Sequence, residues 1–385
     1  MALSKMIEAI SHGLMQTFEE INNCRHHYPR FVAHRTNILP IDSIPIFVFH
    51  TIVPEIFESQ LQYLKVNGYT SITCDAFYQY MSSKDPIPPK TVMLTIDDGR
   101  QSIEDHGIAL IKKYGMSVVV FLISGLIYEK NQKKQVSSNQ DAESLLSWES
   151  IRKMHRTGLV DFQSHSLYHS RLFKSPVIRD FLSSDNVPSS YDRDFPLDLT
   201  QRLTDTDLSD LYGMPLYESS SLFDGRLPVL DDLDLRKACI EIYTKIRKEP
   251  LWKNQMFKFV EDYRRSNPDK SSFLSKLEYD ALMQSDLIKS RELIEEKLGK
   301  KVRHFCYPYT LHCAASTRMA EEAGYLTHHC GVLAYRPDNR RNENFFHCVR
   351  LKNDFIHRLP GEGRKSVFSI FLLKALRRLQ GKTGY

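Results

Sequence analysis

From residue 41 onward the chain alternates two kinds of stretch, and that alternation limits the fold more than any other feature. "SIPIFVFH" has the pattern of a strand, "EIFESQLQYLKVNG" that of a helix closed by glycine, "SITCD" that of a short strand, and "TVMLTI" that of a buried strand. A helix over "QSIEDHGIALIKKYG", a strand at "SVVVFLI", a helix opened by Ser147 at "SWESIRKMHRTG" and a strand at "VDFQSHS" continue the series. Strands joined through helix-length crossovers pair in parallel, so an α/β architecture is expected.

The rhythm breaks between about 176 and 285. Residues 185 to 234 are rich in aspartate and turn formers, as in "SSDNVPSSYDRDFPLDL", and a helical stretch follows from Leu235. Their Tyr, Phe and Leu content argues against a fully disordered segment, so an insertion lying beside the site is expected, with a role as a lid as the hypothesis. Alternation resumes with the helix "DALMQSDLIKSRELIEEKLG", the strand "VRHFCYP", the helix "AASTRMAEEAGY" and a last strand near "FHCVRL". The expected organisation is a helical extension over 1–40, a domain over 41–350 interrupted at about 176–285, and a tail over 351–385.

At 385 residues the chain is long enough for one large domain with an insertion or for two domains. A hydrophobic content of 42% is that of a folded protein, and a net charge of +5 does not call for nucleic acid as a partner. The seven cysteines are scattered, odd in number and without a C-x-x-C pair, which fits reduced thiols better than a disulfide framework. The N-terminal "MALSKMIEAISHGLMQTFEEINN" lacks the unbroken apolar core of a signal peptide, and nowhere do about 18 apolar residues run together. A cytoplasmic protein without a transmembrane helix is expected.

Chemistry concentrates at three places. The run Val92 to Ile96 stops on Asp97, Asp98 and Gly99. Adjacent carboxylates at the carboxyl end of a parallel strand repel and lose hydration, and a metal ion is one compensation. An ordinary Asp-Gly turn is the plainer alternative. In "DFQSHSLYHSRL", His165 and His169 are four apart, a spacing that lets two imidazoles converge on one ion. Two histidines and one aspartate describe a catalytic zinc site, and equally the site of a non-haem iron oxygenase.

"TIDDG" at 95–99, "SHSLYH" at 164–169 and "FCYPY" at 305–309 occur in order and in strand context, and as a set they resemble the polysaccharide deacetylase family, the NodB-homology domains of carbohydrate esterase family 4. The lead-in from "FVFH" to "SITCDAF" is similar to that family's opening. The resemblance covers about 41–175 and 285–350. It implies a distorted (β/α) barrel of about seven strands and removal of an acyl group from an N-acylated amino sugar, polymeric or lipid-linked. It also implies a divalent metal, zinc first with Co2+, Mn2+ or Fe2+ as alternatives, held by Asp98, His165 and His169.

On the same resemblance Asp97 is the general base, and Tyr307, Pro308 and Tyr309 lie near the oxyanion. The late "L-x-H" histidine of many relatives has no clear equivalent after residue 330. A branch acting on β-1,6-linked glucosamine polymers instead uses the histidine ending the first strand, which His50 matches. His312, His329 and His357 are the alternatives. Cys306 stands where many members carry an arginine that orients the base, Ile96 replaces the usual phenylalanine, and Thr310 replaces a glycine. Tyr309 and Trp148 are candidates to border the sugar.

In the tail, a helical projection from Val367 places Lys374, Arg377 and Arg378 on one narrow face, with Phe368, Phe371, Leu372, Leu376 and Leu379 spread opposite. Such a helix suits a membrane surface, so peripheral association through 366–385 is one expectation, and packing on the barrel or a second subunit is the other. The function expected is a metal-dependent saccharide N-deacetylase. The alternatives are a deformylase or amidase on a lipid- or nucleotide-linked amino sugar, or an inactive saccharide-binding relative. The sugar, the acyl group and the oligomeric state are not legible in the sequence.

Overall fold

The structure is a computed structural model. It describes residues 15, 20–22, 24, 26–34, 38–39, 42–129, 144–187, 194–195, 208–331, 338–341 and 344–379.

Strand β1 (Ile46–Phe49) pairs with β3 (Thr91–Ile96), β3 with β4 (Val118–Leu122), and β4 with β5 (Val160–Ser164). The series continues through β11 (His304–Cys306) and β12 (Thr327–Cys330) to β13 (Cys348–Val349). The next residues but one, β14 (Leu351–Lys352), pair back with β1. Every one of these pairings is parallel. The chain therefore closes the sheet on itself within residues 348–352, pairing one side with β12 and the other with β1, and Arg350 sits at the crossing point. Counting that segment once gives seven positions round the barrel, the expected fold. The short β2 (Thr70–Ser71) pairs with β3 outside this ring.

Side chains alternate between the two faces of each strand. On β3, Val92, Leu94 and Ile96 pack outward into the main apolar core shared with the surrounding helices, while Met93 faces a smaller interior cluster. On β4, Val118, Val120 and Leu122 face outward, and Val119 and Phe121 inward. Filling an interior with layers of side chains from alternate strands is the usual construction of such barrels. Around the barrel lie α1 (Pro54–Val66), α2 (Cys74–Ser82), α3 (Ile108–Tyr114) and α4 (Trp148–His155). Helix α2 is capped by the Thr73 side chain, and its Cys74, Phe77 and Met81 enter the interior cluster.

After β5 the alternation stops, some five residues earlier than the composition suggested. Strand β6 (Arg171–Phe181) forms an irregular antiparallel pair with β8 (Pro215–Ser221), and β7 (Asp194–Phe195) lies on its other edge. Helices α5 (Leu233–Ile246) and α6 (Trp252–Ser266) bring Leu235, Cys239, Tyr243, Met256 and Val260 against Phe181 in a separate core. A small β9 (Val229–Leu230) and β10 (Ser272–Phe273) pair follows. Helix α7 (Lys276–Leu298), opened by a Ser275–Glu278 capping box and closed by Gly299 at φ 64°, then returns the chain to the barrel. Helix α8 (Ala314–Glu322) joins β11 to β12.

The tail shows which face of its helix turns inward. Helix α9 (Val367–Leu379) is present, but its basic side chains point inward rather than to solvent. Lys374 is 5% exposed and pairs with Glu20 and Asp354, while Arg377 pairs with Asp354 and Arg378 with Glu20. Ile370 and Phe371 pack on the core, and Phe368, Leu372, Leu373 and Leu376 are exposed. Buried carboxylates on the body draw the cations in, because an unpaired charge there would cost far more than exposing a few apolar groups. Of the N-terminal helix, Met6, Ile7, Ile10, Leu14 and Phe18 lie outside the described residues, while Ile21 is helical and exposed.

Candidate active site and metal centre

The carboxyl ends of the barrel strands gather the three motifs. The period of two that turns Met93 inward also turns Asp97 inward, just past the end of β3. His50 holds the equivalent place after β1, whose Phe49 is in register with Ile96. The Asp97 N–H donates to the Phe49 carbonyl at 2.9 Å, so the two ends stay together, and His50 Nε2 lies 3.8 Å from Asp97 Oδ2. Asp98 would point away, but its φ of 71° reverses the chain and brings its carboxylate to the same rim. Gly99 at φ 79° completes the turn, where an added Cβ would lie 2.6 Å from Leu122 Cδ2.

His165 follows β5, its N–H bonded to the Leu122 carbonyl at 2.8 Å. Its Nδ1–H donates to the Cys306 carbonyl at 2.8 Å, which leaves Nε2 as the lone-pair nitrogen, 3.5 Å from Asp98 Oδ1. His169 Nε2 lies 3.9 Å from the same oxygen. One atom each from Asp98, His165 and His169 falls within 4.8 Å of the others, all three residues being buried. Asp98 Oδ1 accepts no hydrogen bond although it is buried. An orphaned carboxylate oxygen facing two imidazole nitrogens is the donor set a divalent cation takes, so the residues present fit such an ion.

Backbone strain collects here as well. Asp98, Ser166, His169, Tyr309 and Thr310 all have positive φ without being glycine, and they fall within the three motifs or, in the case of Thr310, next to one. The histidine loop is braced from behind by α7. Asp286 Oδ1 accepts the Leu167 N–H at 2.9 Å, and Ser290 bonds both Ser124 and Ser164. Burial pushes the Asp286 carboxyl up to about 7 against the pull of the Leu167 and Tyr168 N–H groups.

Two arginines that sequence reasoning missed set the electrostatics. Arg350, at the barrel's closing point, donates from Nη1 to Asp97 Oδ1 at 2.6 Å and from Nη2 to Oδ2 at 2.8 Å. It also bonds Thr95 Oγ1 and the Cys330 carbonyl. Burial alone would raise the Asp97 carboxyl, but this bidentate guanidinium overrides it and holds the group well below the ordinary carboxylate range. Arg100 donates from Nε and Nη2 to Asp98 Oδ2 at 2.8 and 2.7 Å. Burial opposes ionisation of Asp98 too, and the neighbouring His50 and Arg100 outweigh it. A lone arginine inside an apolar closing strand, "FHCVRL", was the one available signal for Arg350.

Other expected residues fall as follows. Burial lowers the His50 imidazole, with both aspartates pulling the other way. Tyr309 is part-exposed, its ring 4.4 Å from that of His169 and its hydroxyl 3.3 Å from the His169 carbonyl, with the Arg171 guanidinium over its outer face at 5.1 Å. Tyr307 and Pro308 are buried, and the Tyr307 hydroxyl bonds His328. Trp148 is 2% exposed and packs within the main core. Cys306 is buried with its thiol pushed far up by burial, the state of an inert side chain. Of the alternative acids, His312 stacks on Tyr307, His357 lies against Ser59 and Tyr63, and His329 bonds Thr327 inside the barrel.

Residues 84–194, which hold both aspartates and both histidines, match the family model for polysaccharide deacetylase. Over these residues the chain resembles the polysaccharide deacetylase family. Curated relatives include the poly-beta-1,6-N-acetyl-D-glucosamine N-deacetylase of Staphylococcus epidermidis, 32% identical over 140 residues, which cover 36% of this chain and 45% of that one. The Staphylococcus aureus protein of the same name is 29% identical over 110 residues, 29% of this chain and 35% of its own. The matches thus span less than half the length of these relatives. Among solved structures, a de-N-acetylase from Aggregatibacter actinomycetemcomitans superposes with a TM-score of 0.53 at 16% identity, covering 86% of this chain and all of that one. The BpsB deacetylase domain of Bordetella bronchiseptica gives 0.51 at 14% identity, covering 82% and 98%. These likenesses bear on the fold, and they place this chain among barrels of the same kind.

Proposed function

We propose that the protein is a metal-dependent hydrolase that removes an N-acetyl group from an amino sugar within a polysaccharide. The observation that carries this reading is the orphaned Asp98 Oδ1 facing His165 and His169, one residue away from an ionised Asp97 clamped by Arg350. Asp98, His165 and His169 would hold the ion, with zinc the first candidate for a nitrogen- and oxygen-donor site of three protein ligands. Such an ion supplies a water of lowered pKa and polarises the amide carbonyl.

The chain's own residues do the rest. Asp97 accepts the proton of the attacking water, and Arg350 fixes its carboxylate in one orientation so that no reorganisation is needed at that moment. His50 lies on the other side of Asp97 and delivers a proton to the nitrogen of the departing amine. The part-exposed Tyr309 forms a wall of the cleft, with Arg171 holding its ring from outside. The names of the staphylococcal relatives favour a β-1,6-linked N-acetylglucosamine polymer as the substrate class. A lipid-linked precursor met at a membrane surface is favoured less, because the basic face of α9 is consumed in ion pairs.

The test is metal content and acetate release measured on the same preparations of wild type, Asp98→Ala and His165→Ala, with β-1,6-linked N-acetylglucosamine oligomers. About one equivalent more metal in the wild type than in either variant, with acetate release lost in both variants, supports the reading. That difference in metal without acetate from any N-acetylglucosamine oligomer overturns the substrate, and equal metal content in wild type and variants after zinc, cobalt or manganese is supplied overturns the mechanism.

A further inference from the structure

The barrel interior holds a second cluster of metal-ligating side chains, at the end opposite the aspartates. His304 lies two residues before Cys306 on β11, and Thr327 and His329 flank it on β12, so the inward period of two that serves the upper rim also stacks these side chains on the floor. Cys74 enters from the first turn of α2, which plugs the barrel from below. Cys74, His304 and His329 are fully buried, and one donor atom from each lies within 4.8 Å of the others. Two imidazoles and a thiol among Phe77, Phe121 and Met93 are costly to bury, and apolar side chains of equal volume would fill the layer at less cost.

We infer that Cys74, His304 and His329 form a structural site for a thiophilic divalent cation of the zinc class, separate from the catalytic rim. Three observations point there. The donors are one sulfur and two nitrogens, the set that selects zinc over magnesium or calcium. His304 Nε2 donates to Asp75 Oδ1 at 3.1 Å, which leaves Nδ1 as the lone-pair nitrogen facing the cluster, the carboxylate–histidine arrangement that orients metal-bound imidazoles. Charge also closes: a Cys74 thiolate and the Asp75 carboxylate together balance one dication. The Thr327 hydroxyl now spans the gap, 2.8 Å from His304 Nδ1 and 2.9 Å from His329 Nε2. It marks the point equidistant from both nitrogens, and it either serves as the neutral fourth donor or turns aside to another staggered rotamer. The ion would cross-link α2, which lies between β2 and β3, to β11 and β12 on the far side of the ring, tying together segments more than two hundred residues apart.

The inference is tested on the full chain, purified from medium containing zinc and after cobalt substitution, in a background where Asp98→Ala and His165→Ala have emptied the upper rim. One equivalent of metal retained in that double variant, with a near-ultraviolet sulfur-to-cobalt charge-transfer band in the cobalt form, supports the site. Loss of both on adding Cys74→Ala, with the far-ultraviolet circular dichroism of a folded barrel preserved, supports it further. A folded double variant that holds no metal overturns the inference, and so does retained metal whose cobalt form lacks a thiolate band. The second readout requires no change at Cys74, so a Cys74 variant that fails to fold leaves the test intact. Because the upper rim is disabled throughout, the outcome is independent of the deacetylase reading.

Discussion

The two ends of one barrel interior use nearly the same side chains to opposite ends. At the upper rim two carboxylates and two imidazoles sit beside the part-exposed His50, Arg100 and Tyr309, each charge is matched by a guanidinium, and the backbone is strained at Asp98, Ser166, His169 and Tyr309. At the floor two imidazoles, a thiol and a hydroxyl are closed off by α2, and none of Cys74, His304, Thr327 or His329 has a positive φ. The lesson is that donor identity does not distinguish a reactive site from a structural one. Under the proposed function access, strain and charge compensation do, since among the described residues the upper rim combines part-exposed side chains, positive φ and a carboxylate clamped by Arg350.

The largest effect that would break this contrast is on catalysis. Asp97→Asn is expected to lower acetate release by ~10²–10⁴-fold, the usual range for a positioned acid–base group, while metal content stays at the wild-type level. His50→Gln should fall at the lower end of that range. A variant at either position with full turnover would show that the rim is no more reactive than the floor.

Arg350→Met comes next, because it leaves Asp97 buried and unpaired. A cost of ~3–5 kcal/mol is expected in denaturant unfolding. The sign of the pH dependence should also reverse. In the wild type the depressed Asp97 pKa contributes stability above the unfolded value of about 3.9, lost as pH falls further. In the variant burial dominates, the folded pKa rises, and stability falls as pH climbs from about 4.

Asp286 sharpens the comparison from behind the rim. Its folded carboxyl, raised to about 7, stays protonated where the unfolded one is charged, so stability is full below about 4 and declines as pH rises towards 7. Asp286→Asn keeps an acceptor for the Leu167 N–H and removes the titration, which should flatten that decline, by up to ~4 kcal/mol at neutral pH. Melting temperature followed from pH 4 to 8 measures it. An unchanged slope would place the wild-type group elsewhere on the scale. The smallest effect belongs to α9, where Phe368→Ser on the exposed face should change stability by no more than ~0.5 kcal/mol, while Lys374→Ala, which removes the buried cation shared by Glu20 and Asp354 and leaves them to Arg378 and Arg377, should cost several times that.

Much of this was legible in the chain itself. The alternation of "SIPIFVFH", "TVMLTI", "SVVVFLI" and "VDFQS" set the parallel barrel, because period and crossover length are local properties. Asp97, Asp98, His165 and His169 announced themselves because their types and spacings are unusual within short windows. Arg350 and Asp286 did not, since each acts on a residue more than a hundred positions away and looks ordinary among its neighbours. The tail was legible only in part for the same reason. Its helical projection was right, but Glu20 and Asp354 decided which face turns inward.

The sequence by itself determined where strands end and which donors stand at those ends, because backbone periodicity and turn chemistry are set by adjacent residues. Only the tertiary structure decided that Arg350 closes the barrel onto Asp97, that α7 braces the histidine loop, and that Cys74 meets His304 and His329 beneath them. Those contacts come from ring closure, which brings strands from opposite ends of the chain side by side, and no local pattern encodes which of them will become neighbours.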